Sequence, residues 1–190
     1  SVVEIEGLVK ESKQVPEGFE IDGQKVTILS VSEAQLPIPV VLEKGASDVD
    51  VTNRFDWRWL DLRKPESHKI FRVWTVLEQG MRDYYAKNNF TQIYSPALMS
   101  AASESGAEVF EVKYFETKAY LAQSPQFYKQ MAMASGFEKI FMVGPVFRAE
   151  LSFTTRHMTE FTCWDFEIAY IDSHNDVMDA EEGMIVEGFK

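Results

Sequence analysis

The run EFTCWDFEIAY, Glu160 to Tyr170, restricts the fold more than any other stretch of the chain. Strand side chains alternate between two faces. Thr162, Trp164, Phe166, Ile168 and Tyr170 therefore share one almost wholly apolar face, which belongs against a core. Phe161, Cys163, Asp165, Glu167 and Ala169 share the other. Two carboxylates in mid-strand are costly beneath an apolar cover, so this second face must meet solvent or cations. The chain is committed to a sheet with one dry face and one wet face.

The preceding run KIFMVGPVFRAE reads as a partner strand, and FRAELSFTTRHMTEF joins the two. A tight hairpin needs only two to five connecting residues, typically with Gly or Asn; this connection is longer, carries charge and has no glycine. Val146, Arg148 and Glu150 share a face, which sets Arg148 opposite Asp165 and Glu167. Two readings stay open on these residues. One is a cross-strand ion pair on a wet face, worth roughly 0.2–1 kcal/mol. The other is an open pocket over which Arg156 and His157 fold, with Phe161 as a flat platform. Arginine forks suit phosphate and an aromatic ring suits a base, so that pocket fits a nucleotide.

Upstream, SVVEIEGLV and QKVTILSV read as two strands of a small β-domain, separated by the turn-rich VPEGFEIDG. Residues 32–53 have linker composition, with prolines, a glycine and no clear period. After RFDWRWLDLRKPES a helical period begins: Ile70, Val73, Trp74, Leu77, Met81, Tyr84 and Tyr85. Pro65 and Ser67 mark its start and Asn88-Asn89 its end. FTQIYSP reads as a strand closed by Pro96, MSAASESGAEVF as a mobile loop, and AYLAQ as another strand. SPQFYKQMAMASG reads as a helix with Ser124 as N-cap, Pro125 at the first helical position and Gly136 as the stop. Phe127, Met131 and Ala134 are expected to point inward. A last helix starts near Ser173. Strands alternating with helices, and neighbouring strands joined by a hairpin, predict an α+β fold with an antiparallel or mixed sheet and helices on one side.

On the helix after Ser124, Gln126 and Lys129 share a face. They form either a solvated surface or, near the helix's positive end, an amide and an ammonium selecting a small carboxylate. Glu104 in the loop serves either solubility or a ligand's ammonium. Three histidines and one cysteine give no metal-ligand spacing. Neither GxGxxG, GxxxxGK[ST] nor GxSxG occurs.

Composition narrows the class further. The chain has 190 residues, 45% of them hydrophobic and 26% charged, as expected of a folded soluble protein of one domain, or of one domain plus part of another. No apolar run approaches the roughly 20 residues of a membrane span, and the N-terminus does not read as a signal peptide. One cysteine precludes an internal disulfide and suits the cytosol. A net charge of −11 argues against a broad nucleic-acid-binding surface and leaves room for a local anion site. The chain reads as cut from something longer at both ends.

The motifs together resemble the class II aminoacyl-tRNA synthetases, on their aspartate-activating branch of archaeal/eukaryotic type. The resemblance runs over nearly the whole chain. RFDWRWLDLRKPE resembles the segment entering the catalytic domain. The long helix with NNFTQIYSP, ending at Pro96, resembles the first class motif, which builds the dimer interface. SAASESGAE resembles the flipping loop, QSPQFYKQ the aspartate-recognition signature, and FRAELSFTTRHMTEF the second class motif.

This resemblance implies a partial class II catalytic domain over residues 54–190, an antiparallel sheet flanked by helices. The last hairpin of an anticodon-binding OB-fold precedes it at 1–31, with a hinge at 32–53. It implies that Arg148 holds the ATP α-phosphate and the substrate carboxylate and is the catalytic residue. Glu150 lies near the adenine, Arg156, His157 and Met158 cover the triphosphate, and Phe161 stacks on the base. Ser124, Gln126 and Lys129 bind aspartate, Lys129 through its side-chain carboxylate; Asp165 meets the α-ammonium, and Glu104 is the flipping-loop carboxylate. The implied substrates are ATP, L-aspartate and tRNA(Asp), in a cytoplasmic homodimer without membrane attachment. Mg²⁺ ligands and the third class motif are expected beyond Lys190, which leaves the isolated fragment inactive. The alternatives are an asparaginyl-tRNA synthetase, an ammonia-dependent asparagine synthetase, and a non-catalytic paralogue acting in dimerisation or RNA binding.

Overall fold

The computed structural model describes residues 1–190 except 16, 43–44, 104–107, 152–153 and 155. The chain divides into two units, residues 1–71 and 72–190, and each is described by itself. In the first unit, β1 (Val2–Glu11) and β2 (Phe19–Ser30) form an antiparallel ribbon. Its register sets Val3 against Ile28, Ile5 against Val26 and Val9 against Ile21, so these branched side chains share one face.

Two short helices not foreseen in the sequence follow: α1 (Val51–Asp56) and α2 (Arg58–Asp61). The first begins inside the stretch read as linker, because Asp50 caps it by accepting from the Asn53 N–H at 3.1 Å. The second carries Asp61, which is fully buried. Its carboxylate accepts from Arg54 Nε at 2.8 Å, Arg58 Nη1 at 2.7 Å, Lys64 Nζ at 3.1 Å and Ser67 Oγ at 3.3 Å. Asp48 holds the other side of Lys64 at 2.6 Å. Burial of this charge is tolerated because its oxygens are fully partnered.

The helix α3 (Pro65–Lys87) starts at the proline expected to open it and ends before Asn89, whose φ of 62° turns the chain out. In the second unit come β3 (Thr91–Gln92), β4 (Leu98–Met99), β5 (Glu111–Tyr114), β6 (Thr117–Leu121), α4 (Gln126–Ala134), β7 (Lys139–Phe147), β8 (Glu160–Ile168) and α5 (His174–Gly188). One three-stranded sheet runs β3-β7-β8, with β3 parallel to β7 and β8 antiparallel to it. The other, β4-β6-β5, is antiparallel throughout. The strands β4 and β5 were not foreseen in the sequence.

The dry face of β8 is where the alternation set it. Trp164, Phe166 and Ile168 pack against Tyr85, Phe90, Phe141, Ala180 and Met184. Tyr85 of α3 stacks on Phe141 with ring centroids 4.3 Å apart, and its hydroxyl donates to Met184 Sδ at 2.7 Å. Close approach of α3 and α5 requires glycine: a Cβ on Gly183 would lie 2.5 Å from the Tyr84 ring, and one on Gly80 would lie 2.6 Å from the Glu187 carbonyl oxygen. Ser173 and Asp176 close a capping box at the start of α5, where the last helix was expected.

Two expectations are corrected here. Helices do not lie on one side only: α3 and α5 cover the dry face, while Ala132 and Met133 of α4 pack on Ile140 and Met142, which point the other way from β7. The inward face of α4 is also different. Phe127 and Met131 are 45% and 63% exposed and Ala134 is exposed, whereas Ala132 is buried. The face it covers holds Lys129 through Asp165 and Glu167 together with Ala132 and Met133, which leaves Phe127 and Met131 outward.

Candidate active site

Lys129 is that anchor. Its ammonium donates to Asp165 Oδ1 at 2.6 Å and lies 3.2 Å from Glu167 Oε2. The lysine and Asp165 are only 13% and 17% exposed. Burial by itself lowers the lysine's pKa, but the hydrogen bond it donates to Asp165 and the fields of both carboxylates outweigh it and hold the pKa above the ordinary value. The cation demanded by the two mid-strand acids thus comes from α4.

It does not come from Arg148. The β7–β8 register pairs Met142 with Asp165, Ile140 with Glu167 and Val146 with Phe161, so Arg148 lies past the end of the ladder and is not opposite the acids. Its N–H donates to the Thr159 carbonyl at 3.0 Å, closing the mouth of the connection. Its guanidinium lies over the Phe161 ring, 5.5 Å from the centroid. The Arg148 Nε is buried and has no hydrogen-bond partner among the described residues.

Around this stacked pair opens a pocket of about 450 Å³ lined by Arg148, Glu150, Arg156, His157, Met158 and Phe161. The imidazole of His157 is 2.7 Å from Thr154 Oγ1 and 3.9 Å from Glu150. These six residues are the ones that the second-motif resemblance assigns to ATP. Cys163 stands on the same face between Phe161 and Asp165. Burial and then the charge of Asp165 push its thiol's pKa up, while Arg148 and Lys129 both pull it down. The guanidinium and the ammonium therefore act on one thiol.

The strand-to-helix turn supplies the remaining expected residues. Pro125, not Ser124, occupies the cap of α4, one residue later than expected, and it makes no side-chain capping bond. The buried Ser124 still accepts from the Gln126 N–H, at 3.3 Å. Gln123, which sequence reasoning passed over, is 1% exposed and accepts from the Ser103 N–H at 3.2 Å. Pro96 lines a second cavity of about 150 Å³ with Ala122, Pro125, Met142 and Cys163. Glu104 lies outside the described residues. No group of three or more potential metal-ligating side chains is gathered among the described residues, and none of the described helices is long and apolar enough to cross a membrane.

Residues 50–190 match the model of the family described as tRNA synthetases class II (D, K and N), and the chain belongs to that family. It is 45% identical over 97% of its length to the aspartate–tRNA(Asp) ligase of Picrophilus torridus, of which it covers 43%. It is 40% identical over its whole length to the aspartate–tRNA(Asp/Asn) ligase of Methanopyrus kandleri, again covering 43%. Among solved structures, the asparaginyl-tRNA synthetase of Pyrococcus horikoshii complexed with asparaginyl-adenylate superposes with a TM-score of 0.87 at 33% identity, over 98% of this chain and 41% of that one. The chain spans less than half the length of these relatives.

Proposed function

We propose that the protein carrying this chain is an aspartate–tRNA ligase, which activates L-aspartate with ATP and transfers it to tRNA(Asp). One observation carries the reading: the stacked Arg148–Phe161 pair and the Lys129–Asp165 pair occupy one face of one sheet, with Cys163 between them. A strand rises about 3.3 Å per residue, so Phe161 and Asp165 are separated by about 13 Å. That spacing suits a nucleoside at one end and a short diacid at the other, meeting at the guanidinium.

In this arrangement Phe161 takes the adenine ring and Glu150 its edge. Arg156, His157 and Met158 lie along the phosphates. Arg148 bridges the α-phosphate and the amino acid's carboxylate, and an oxygen of either satisfies its Nε, which has no partner among the described residues. Asp165 receives the α-ammonium, and Lys129 the side-chain carboxylate, with Ser124 and Gln126 beside it. The α-carboxylate attacks the α-phosphorus, pyrophosphate leaves, and aspartyl-adenylate forms. A hydroxyl of the tRNA's terminal ribose then attacks the aspartyl carbonyl, forming the ester as AMP leaves. The residues hold the reactants in line and offset developing charge; they form no covalent bond themselves. No group of three or more potential metal ligands is gathered among the described residues, and none of them is assigned to the Mg²⁺ that the family implies.

A cytoplasmic homodimer, with Pro96 at its interface and the hairpin at 1–31 as part of an anticodon-binding OB-fold, completes the proposal. The test is pyrophosphate exchange into ATP by the protein that carries this chain. Exchange supported by aspartate and not by asparagine is expected. Exchange supported by asparagine instead transfers the reading to an asparaginyl-tRNA synthetase, which the likeness to the Pyrococcus horikoshii enzyme keeps in view. Exchange with neither overturns both.

A further inference from the structure

The proposed reaction uses Lys129 and Asp165 but gives Glu167 no task, although its carboxylate is 3.2 Å from the ammonium and 29% exposed. We propose that Glu167 is a positioning residue that holds Lys129 from behind, so that the Lys129–Asp165 pair can be exchanged for the two charges of an amino acid. The inference rests on the aspartate-activating reading.

The geometry follows from the strand. From the Arg148 end, the wet face of β8 presents Phe161, Cys163, Asp165 and Glu167 in that order. Asp165 thus stands on the side of Lys129 that faces the guanidinium, and Glu167 on the side that faces away. An amino acid with its α-carboxylate at Arg148 meets Asp165 and Lys129, but not Glu167.

Its binding is then an exchange. The ligand's ammonium replaces Lys129 on Asp165, and the ligand's side-chain carboxylate replaces Asp165 on Lys129. One internal ion pair becomes two intermolecular ones, and no buried charge is left alone, the condition under which such pairs are tolerated. Throughout, Lys129 has to keep its place on a flexible four-carbon stem. An ammonium has three donors, so it can keep Glu167 while giving up Asp165. With Glu167 neutral, Lys129 has a single anionic partner and closes on Asp165, and the ligand must break that pair before either half can serve it.

The test is Glu167→Gln, with Glu167→Asp beside it, in the protein that carries this chain. The glutamine variant is expected to raise the KM for aspartate about tenfold while kcat stays within about threefold. The KM for ATP is expected to stay unchanged, because the Arg148–Phe161 pocket lies at the other end of the strand. The aspartate variant, which keeps the charge, is expected to recover part of the loss. Thermal melts of both variants within a few degrees of wild type exclude a folding defect. An unchanged aspartate KM in Glu167→Gln overturns the proposal, and so does an equal rise in the KM for ATP, which reports general distortion. A wild-type protein without aspartate-dependent exchange is a distinct outcome, since there the proposed function itself fails and takes this inference with it.

Discussion

The guanidinium of Arg148 lies over the ring of Phe161, 5.5 Å from its centroid, with its Nε buried and without a hydrogen-bond partner among the described residues. A cation held by an aromatic face with a donor left over is suited to an anion that arrives with a flat base. Arg148→Ala is expected to remove about 3–4 kcal/mol of transition-state stabilisation, the size of losing a preorganised oxyanion donor. Aspartate-dependent pyrophosphate exchange reads this directly, and retention within tenfold of wild type contradicts the role.

Phe161→Ala separates the two ends of the site. It is expected to weaken ATP binding by about 1–3 kcal/mol, as for loss of a base-stacking ring. The KM for aspartate should change little, because Asp165 and Lys129 keep each other in place. Equal effects on both substrates count against a divided site.

Lys129→Leu leaves Asp165 and Glu167 without their cation and is expected to abolish aspartate activation. The same lysine has a stability signature. Its folded pKa is raised above the ordinary 10.5, so its contribution is complete below about that pH and is lost as pH rises through the folded value. Chemical denaturation from pH 9 upward should therefore show a shallower alkaline decline in Lys129→Leu than in wild type. An unchanged aspartate KM, or parallel curves, speaks against the assignment.

Asp61 gives the mirror case. The Arg54 hydrogen bond, then those of its other cations, hold its pKa well below the usual carboxylate range despite burial. A lowered folded pKa means stability that is present above the unfolded value of 3.8 and lost as pH falls through the folded one. Asp61→Asn leaves Lys64 and two arginines facing a neutral amide and is expected to destabilise by about 3 kcal/mol or more. Its acid unfolding should also be less steep than that of wild type.

At the α3–α5 contact, Gly183→Ala forces a methyl group to within 2.5 Å of the Tyr84 ring unless the helices part. Overpacking of this kind costs about 1–3 kcal/mol. A fall in Tm of several degrees is expected, and an unchanged Tm means that the two helices are not held as closely as described.

Much of this was legible in the sequence, and what was not has physical causes. The alternation in EFTCWDFEIAY located the core face and the wet face of β8, and the small polar cap at Ser173 located α5. The same period placed Arg148 on the right face but said nothing of register, so it could not tell a cross-strand partner from one past the ladder's end. Lys129 as the partner of Asp165 depends on the packing of α4 on the sheet, which a helical period alone leaves undetermined: Phe127 and Met131 are as apolar as core residues, yet they lie outward. The two residues of β4 are too few to display a period, and the four of β5, though they alternate, are the shortest run that can. Nothing local in RFDWRWLDLRKPES shows that four partners converge on Asp61.

The parallel pairing of β3 with β7 has a consequence for how the site comes into being. The β7–β8 ribbon closes through its own connecting loop, whereas Thr91 reaches Ile140 only after β4, β5, β6 and α4 have been spanned. Loop-closure entropy places such non-local pairings late in folding. The strand bearing Phe161 and Asp165 can thus be zipped to its neighbour while the sheet's far margin is still open, which makes that margin the first place to look for fraying under mild denaturant.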